Sequence, residues 1–163
     1  MKRYQKIISF SKISSIIKFF KDKKTVLVGG CFDIFHYGHL KFLMKAKKEG
    51  DLLIVALESD EFIKRKKNRQ PIHNQKQRAE ILSSIIFVDL IILLPYLSSD
   101  DDYFNLVRKI KPKVIAVTAG DPQIKNKKRQ AKIIKSKVKI VTPFIKNFSS
   151  TKIHKLYEAF FSD

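Results

Sequence analysis

The chain has 163 residues, which suffice for one domain with a hydrophobic core but not for two domains of ordinary size. Hydrophobic residues make up 44% of it and charged residues 30%, which excludes an intrinsically disordered chain. The formal net charge of +19 favours anionic partners, namely nucleotides, phosphorylated metabolites, nucleic acid or acidic membrane, without choosing among them. A lysine-rich coding bias would give the same charge.

Cysteine content and apolar runs indicate a cellular compartment. Cys31 is the single cysteine, so an internal disulfide and a C-x-x-C motif are both excluded. Lys6, Lys12 and Lys18 interrupt the apolar runs near the N-terminus, so no signal sequence is predicted. The longest apolar stretch, residues 90–97, is too short to span a bilayer. We therefore expect a cytoplasmic protein without a membrane span.

Short apolar runs alternate with segments of helical periodicity along the whole chain. The spacing of isoleucine and phenylalanine predicts a lead-in helix over 11–21. Strands are then predicted at 25–28, 52–57, 90–94, 114–117 and 138–141, and helices from 40 to about 50 and at 75–86, 100–110, 123–135 and 149–161. A short helix over 60–63 precedes a basic surface loop over 64–74.

The alternation of five strands with helices predicts an α/β fold. Such βα units build a parallel sheet with helices on both faces. No linker, repeat or domain boundary interrupts the pattern, so we expect a single domain over 1–163, with a lead-in helix in 1–23 and the core in 24–163. Ligands of such sheets bind beyond the C-terminal ends of the strands, where the strand order reverses.

One such strand end carries a glycine–histidine segment, residues 29–39. It lies between the first predicted strand and the following helix, whose first N–H groups lack partners and whose dipole favours negative charge. His36 and His39 are three residues apart and so share one face of the first helical turn. We predict a polyphosphate site here. Two ordinary histidines are the alternative. A metal site is not predicted, because no third ligand at suitable spacing is evident.

Residues 29–39 resemble the signature of the cytidylyltransferase-like nucleotidyltransferases, the HxGH superfamily. Further matches follow in the family's order, at 49–51, 59–61, the basic loop, Arg78, 88–89 and 149–153. The resemblance covers residues 24–156 and implies a Rossmann-like domain. Residues 32–36 resemble the branch of glycerol-3-phosphate cytidylyltransferase and heptose-1-phosphate adenylyltransferase. The lead-in helix and residues 70–72 are more similar to the heptose-phosphate enzymes.

The resemblance implies a reaction in which a phosphorylated sugar or polyol attacks the α-phosphorus of ATP or CTP and pyrophosphate leaves. Mg²⁺ is expected to bridge the phosphates. ATP with a sugar 1-phosphate is slightly favoured, because the arginine and glycine that precede the last helix in glycerol-phosphate cytidylyltransferases are missing from 144–148. The alternatives are a CTP-dependent enzyme of the glycerol-3-phosphate type and, from another class, a basic nucleic-acid-binding or non-catalytic nucleotide-binding protein. A homodimer is a further expectation, since relatives commonly dimerise.

The resemblance also assigns roles to individual residues. Catalytic roles fall to His36, His39, Lys66 and Arg78. The nucleotide-binding set is Gly30, Cys31, Phe32, Asp33, Gly38, Arg69, Thr118, Gly120, Asp121, Ser149, Ser150 and Thr151.

Several of these residues have a structural alternative. For Asp33 we favour a structural cap over contact with Mg²⁺ or the acceptor. Cys31 is interpreted as a small buried side chain and not a nucleophile. A helix-surface salt bridge is the alternative for Arg78. The basic segment 125–129 is interpreted as a charged helix face, which makes nucleic acid an unlikely partner.

Overall fold

The computed structural model describes residues 6–143 and, beyond them, residues 153, 156, 159 and 160. The strands are β1 (Ile7–Ser9), β2 (Thr25–Gly30), β3 (Leu52–Leu57), β4 (Leu90–Leu93), β5 (Val114–Thr118) and β6 (Lys137–Thr142). The helices are α1 (Ile13–Ile17), α2 (Tyr37–Lys47), α3 (Asp60–Lys67), α4 (Gln75–Ser83), α5 (Asp100–Ile110) and α6 (Ile124–Ile133). Short 3₁₀ segments, Phe10–Lys12 and Lys18–Phe20, flank α1.

The strands form one parallel sheet in the order β1-β4-β3-β2-β5-β6. Strands β2 and β3 pair along their whole length, from Thr25 with Leu52 to Gly30 with Leu57. The chain moves outwards on one side of β2 through β3 and β4, and then returns to the other side of β2 with β5. The strand order therefore reverses between β2 and β5, and a crevice at this switch point is where such sheets bind ligands.

The predicted α/β class with a parallel sheet is confirmed, whereas the predicted number of five strands is wrong. The additional strand, β1, pairs at the sheet edge with β4, Ile7 lying opposite Ile91 and Ser9 opposite Leu93. Three residues are too few to show a period of two in the sequence. The predicted lead-in helix is present but broken, with α1 between two 3₁₀ segments and Ile13 buried in the core.

The predicted loop over 64–74 is also partly wrong, because α3 extends to Lys67. The Ser59 hydroxyl accepts a hydrogen bond from the Phe62 N–H and so caps the helix. Acidic residues in its first turn and basic residues in its last turn complement the helix dipole. Ile63 is the buried residue of α3, so the sequence offers little apolar periodicity. Nearly all of the predicted helix over 149–161 lies outside the described residues.

The core has two layers, one on each face of the sheet. Neighbouring residues of β2 alternate between them, since Val26 packs with α2 and α4, and Leu27 packs with α1, α5 and α6. Strands β2 to β5 are buried almost throughout, as expected for a parallel sheet covered on both faces. Within the described part of the chain, no helix combines the length and apolarity needed to cross a bilayer.

We predict that Gly50→Ala lowers the free energy of unfolding by about 1–3 kcal/mol, as overpacking does. A Cβ at residue 50 would lie 2.3 Å from the carbonyl oxygen of Lys24 and 2.8 Å from Val26 Cγ2, so the backbone before β2 would have to shift. Urea denaturation followed by circular dichroism measures the change. Gly29→Ala is the matched control, because its Cβ would meet its nearest atom at 4.0 Å. Equal stability of the two variants would contradict the prediction.

Candidate active site

The segment between β2 and α2, residues 31–36, has an unusual backbone, and we call it the glycine turn after Gly29 and Gly30 at the end of β2. Phe32 and Ile34 follow Gly29 and Gly30, and both adopt left-handed conformations, with φ of 50° and 51°. Such angles cost roughly 1 kcal/mol or more for residues other than glycine. A Cβ at residue 30 would lie 3.0 Å from the Phe32 ring, so glycine allows that ring to pack closely against the turn. Contacts elsewhere must hold this segment in place.

Asp33 supplies the first of these contacts. Its carboxylate is fully buried and accepts hydrogen bonds from Arg69 Nη1 at 2.5 Å, from the His73 N–H at 3.1 Å and from the Ile72 N–H at 3.3 Å. Burial alone would raise the pKa of Asp33, but the bonds from Arg69, His73 and Ile72 hold it below its usual value. Asp33 thus attaches the basic loop to the glycine turn, and its role in nucleotide binding stays a prediction.

Arg78 supplies the second set of contacts from within α4, and its side chain is fully buried. Nη1 donates to the carbonyl oxygen of Cys31 at 2.6 Å, Nε to that of His73 at 3.0 Å, and Nη2 to the Asp60 carboxylate at 2.7 Å. The alternative predicted for it, a salt bridge, is present in its pair with Asp60, but the guanidinium group is buried and not on the helix surface. Arg78 does not line the cavity described below, so its contacts are those of a positioning residue, and its catalytic role stays a prediction.

The two histidines lie in contact at the start of α2. His36 caps the helix, its Nδ1 accepting a hydrogen bond from the His39 N–H at 3.4 Å. The imidazole rings stack with centroids 3.8 Å apart and an interplanar angle of 18°. Because Nδ1 of His36 accepts, the proton of its neutral form is on Nε2.

Electrostatics keep both imidazoles uncharged at neutral pH. Burial lowers the pKa of His36. Burial, together with the neighbouring His36, lowers the pKa of His39 to about 3. Phe32 and Phe35 contribute to this apolar setting, with their ring centroids 5.1 and 5.7 Å from that of His39. The pair therefore offers N–H donors without carrying charge of its own.

These histidines line a cavity of about 820 Å³ at the C-terminal ends of β2, β3 and β5. Most of the residues predicted for the site share its wall. They are Gly30, Cys31, Phe32, His36, Gly38, His39, Lys66, Arg69, Thr118 and Asp121. Asp33, Arg78 and Gly120 do not line it. Ser149, Ser150 and Thr151 lie outside the described residues.

The β5 side of the cavity begins where that strand ends, at Thr118. Gly120 has a φ of +76° and turns the chain towards α6. The Asp121 carboxylate then accepts a hydrogen bond from the Gln123 N–H at 2.8 Å and pairs with Lys127 Nζ at 2.6 Å. This loop faces the glycine turn across the switch point between β2 and β5.

Sequence reasoning missed a buried carboxyl group on the opposite side of the cavity. Glu58 directly follows β3 and is only 7% exposed. One carboxyl oxygen, Oε1, accepts a hydrogen bond from the Tyr103 hydroxyl at 3.0 Å. Burial raises the pKa of Glu58 to about 7. A glutamate next to a fully apolar strand was a signal available in the sequence, whereas its partner on α5 was not.

Cys31 is half-buried and lines the cavity, so it is more accessible than the buried side chain that the sequence predicts. Burial raises the pKa of its thiol to about 11, so little thiolate forms at neutral pH. Its carbonyl oxygen serves as the acceptor for Arg78.

The described carboxylates of the site are not arranged as ligands of a resident metal ion. Residues 6–143 and the four later described positions contain no group of three His, Cys, Asp or Glu side chains arranged to hold one. The carboxylate nearest to the histidines in sequence, Asp33, already accepts three hydrogen bonds from the protein. The described residues therefore do not form a protein cage for Mg²⁺, an ion that proteins commonly bind through few side chains together with substrate phosphates.

Comparison with known proteins places this site in a class. The family model described as cytidylyltransferase-like matches residues 27–156, which include the glycine turn, the histidine pair and the β5 loop. The site is thus that of a nucleotidyltransferase. The chain belongs to the cytidylyltransferase-like family.

Curated relatives include the bifunctional protein HldE of Campylobacter jejuni subsp. doylei, 37% identical over 150 residues, which are 91% of this chain and 31% of that protein. The bifunctional protein HldE of Helicobacter acinonychis is 41% identical over 113 residues, 69% of this chain and 23% of that protein. The chain thus spans about a third or less of the length of these relatives.

Two solved structures are similar to the fold. The lipopolysaccharide core biosynthesis protein from Thermoplasma volcanium has a TM-score of 0.60 and 29% identity, covering 74% of this chain and 95% of that one. The pantoate-beta-alanine ligase from Francisella tularensis has a TM-score of 0.65 and covers 93% of this chain and 77% of that one. Its 20% identity supports a shared fold alone.

We predict that Asp33→Asn lowers the free energy of unfolding by about 3 kcal/mol, because an amide removes the buried ion pair and turns a donor towards Arg69 or the two backbone N–H groups. Urea denaturation measures the loss. Glu61→Gln is the matched control, since it breaks an exposed ion pair with Arg65 one turn away and should lower the free energy of unfolding by no more than about 1 kcal/mol. An Asp33→Asn protein as stable as this control would show that the loop is held by other contacts.

Proposed function

We propose that the protein transfers the adenylyl group of ATP to a sugar 1-phosphate with release of pyrophosphate. The observation that carries this proposal is the stacked, uncharged histidine pair at the start of α2, which lines a cavity of about 820 Å³ beside the glycine turn. The choice of acceptor is supported by the resemblance to heptose-phosphate adenylyltransferases, by the HldE relatives and by the similarity to a protein of lipopolysaccharide core biosynthesis.

The triphosphate binds at the start of α2, where several hydrogen-bond donors point to one place and no free carboxylate of the described residues repels it. The α2 N-terminus favours negative charge, and His36 and His39 donate N–H groups to the oxygens of the α-phosphate. Neutral imidazoles suit this task, because their N–H groups stabilise the negative charge that builds on the phosphate in the transition state. A charged imidazolium would also form an ion pair with the bound substrate, which would stabilise the ground state equally well and so not accelerate the reaction. Asp33 is kept away from the phosphates by its bonds to the basic loop.

Basic side chains at the edge of the cavity bind the leaving group. Lys66 and Lys67, in the last turn of α3, are exposed and line the cavity. Arg69 also lines it, and its Nε is buried without a hydrogen-bond partner among the described residues. Lys66 and Lys67 are available to the β- and γ-phosphates, where negative charge increases as pyrophosphate departs. The charge of Arg69 is paired with Asp33, so this residue offers its Nε as a further donor.

The chemical step itself requires no base. An oxygen of the acceptor phosphate, already anionic, forms a bond to the α-phosphorus while the bond from that phosphorus to the bridging oxygen of the β-phosphate breaks. The bonding electrons leave with pyrophosphate, and no proton is transferred. The protein therefore contributes orientation and charge stabilisation. We infer that Mg²⁺ enters as part of the Mg²⁺–ATP substrate.

We predict that His36→Ala and His39→Ala each lower kcat by about 10²–10³, the usual effect of deleting one donor to a developing oxyanion. Pyrophosphate release is measured with Mg²⁺, ATP or CTP, and heptose 1-phosphate or glycerol 3-phosphate as acceptor. ATP with heptose 1-phosphate should give the highest kcat/KM.

The control for this experiment is Lys76→Ala, which alters an exposed residue of α4 away from the cavity and should keep wild-type activity. Pyrophosphate release that persists undiminished in both histidine variants would refute the assigned roles. A preference for CTP and glycerol 3-phosphate would refute the choice of substrates. Thermal stabilisation by each nucleotide gives an independent measure of nucleotide selectivity.

A further inference from the structure

Glu58 has a half-satisfied carboxyl group in the wall of the cavity. The Tyr103 hydroxyl from α5 donates to Oε1, whereas Oε2 is buried and has no hydrogen-bond partner among the described residues. The backbone N–H of Glu58 donates to the carbonyl oxygen of Gly30 at 3.1 Å, so the residue is fixed beside the glycine turn. A buried oxygen without a partner is destabilising, and a ligand that hydrogen-bonds to it would offset this cost.

The position of Glu58 in the sheet indicates which ligand this is. Strand β2 lies between β3 and β5, so Glu58 is on one side of the glycine turn and Thr118 is on the other. The switch point, where sheets of this kind bind nucleotides, is on the Thr118 side. Glu58, Tyr103 and Ser98 also line the cavity. A nucleotide on the Thr118 side leaves the Glu58 side to the second substrate, whose phosphate must reach the α-phosphorus.

We propose that Glu58, oriented by Tyr103, hydrogen-bonds a hydroxyl group of the acceptor and thereby selects polyhydroxylated acceptors. This inference rests on the proposed function and extends it to the acceptor. Sugar and polyol phosphates present hydroxyl groups at a distance from their phosphate, and a buried carboxyl group with one free oxygen recognises such a group. An anionic group at that point would be rejected, because its charge would lie beside the buried carboxyl oxygen.

The carboxyl group acts in its protonated form, with Oε2 as the donor to a hydroxyl oxygen. Burial raises the pKa of Glu58 to about 7, and the acceptor phosphate brings further negative charge that favours protonation. Of the groups that face it, Tyr103 on α5 and Cys31 in the glycine turn have pKa values raised by burial. Lys127 on α6 and Arg78 on α4 add positive charge.

Isothermal titration calorimetry with heptose 1-phosphate and, separately, α,β-methylene-ATP tests the proposal. Glu58→Ala should weaken heptose 1-phosphate binding at least about tenfold and leave binding of the ATP analogue unchanged. Wild-type affinity for heptose 1-phosphate should fall roughly tenfold from pH 7 to pH 8.5, as the carboxyl group ionises. Glu58→Gln, which keeps a donor, should bind as wild type does at pH 7 and lose this pH dependence. Tyr103→Phe should lie between the two Glu58 variants.

The matched control is Glu80→Gln, the same change on the exposed face of α4, which should behave as wild type. The proposal is overturned if Glu58→Ala binds heptose 1-phosphate normally, if it loses both ligands equally, or if wild-type affinity increases with pH. Failure of the proposed function would look different, with both ligands binding to the wild-type protein but no pyrophosphate released from ATP in the activity assay.

Discussion

The buried guanidinium group of Arg78 is the interaction on which the candidate site depends. Its three nitrogens donate to the glycine turn, to the basic loop and to the start of α3, and so join three segments that are separate in sequence. The turn contains two non-glycine residues in left-handed conformations, which persist only where surrounding contacts over-determine them. Asp33, within the turn, also holds it to the basic loop by accepting hydrogen bonds from Arg69 and from two backbone N–H groups. A buried charge pair of this kind contributes less to stability than to holding one conformation, and here that conformation exposes a helix N-terminus to the cavity.

Because of this arrangement, charged and neutral groups have different positions and roles in the site. Fixed charges in the turn neutralise one another inside the protein, so they add little net field to the cavity. The groups that line the cavity next to the turn are instead uncharged at neutral pH, namely the two imidazoles. Mobile positive charge is confined to the rim, where Lys66 and Lys67 are exposed. A polyanionic substrate is therefore attracted by the exposed lysine side chains at the rim, and it is oriented by the fixed N–H groups of the two imidazoles. Glu58, with its raised pKa, extends this principle to the acceptor side of the cavity.

The sequence predicted the elements whose ends carry local signals. Strand β3 lies at the predicted 52–57, because Gly50 and the polar residues after Leu57 bound an apolar run. Helix α5 lies at the predicted 100–110, because Ser99 and Asp102 form a capping box. Strand β1 was not predicted, since three residues are too few to show an alternation of apolar and polar side chains. Helix α3 was predicted too short, since it has a single buried residue and so little apolar periodicity. Within the site, the spacing of His36 and His39 predicted that they share a face. The partners of Asp33 and the pairing of Glu58 with Tyr103, 45 residues apart, depend on tertiary structure and could not be predicted from local patterns.

The most direct test of the account follows the imidazole ¹⁵N resonances of His36 and His39 by NMR as α,β-methylene-ATP is added. In the free protein both rings should be neutral at pH 7, with His36 protonated on Nε2 and the pKa of His39 near 3. Binding of the analogue should shift the resonances of both rings and raise both pKa values, because a neighbouring polyphosphate favours the charged imidazole. Resonances and pKa values that stay unchanged at saturating analogue would mean that the triphosphate binds elsewhere, and would contradict the central claim.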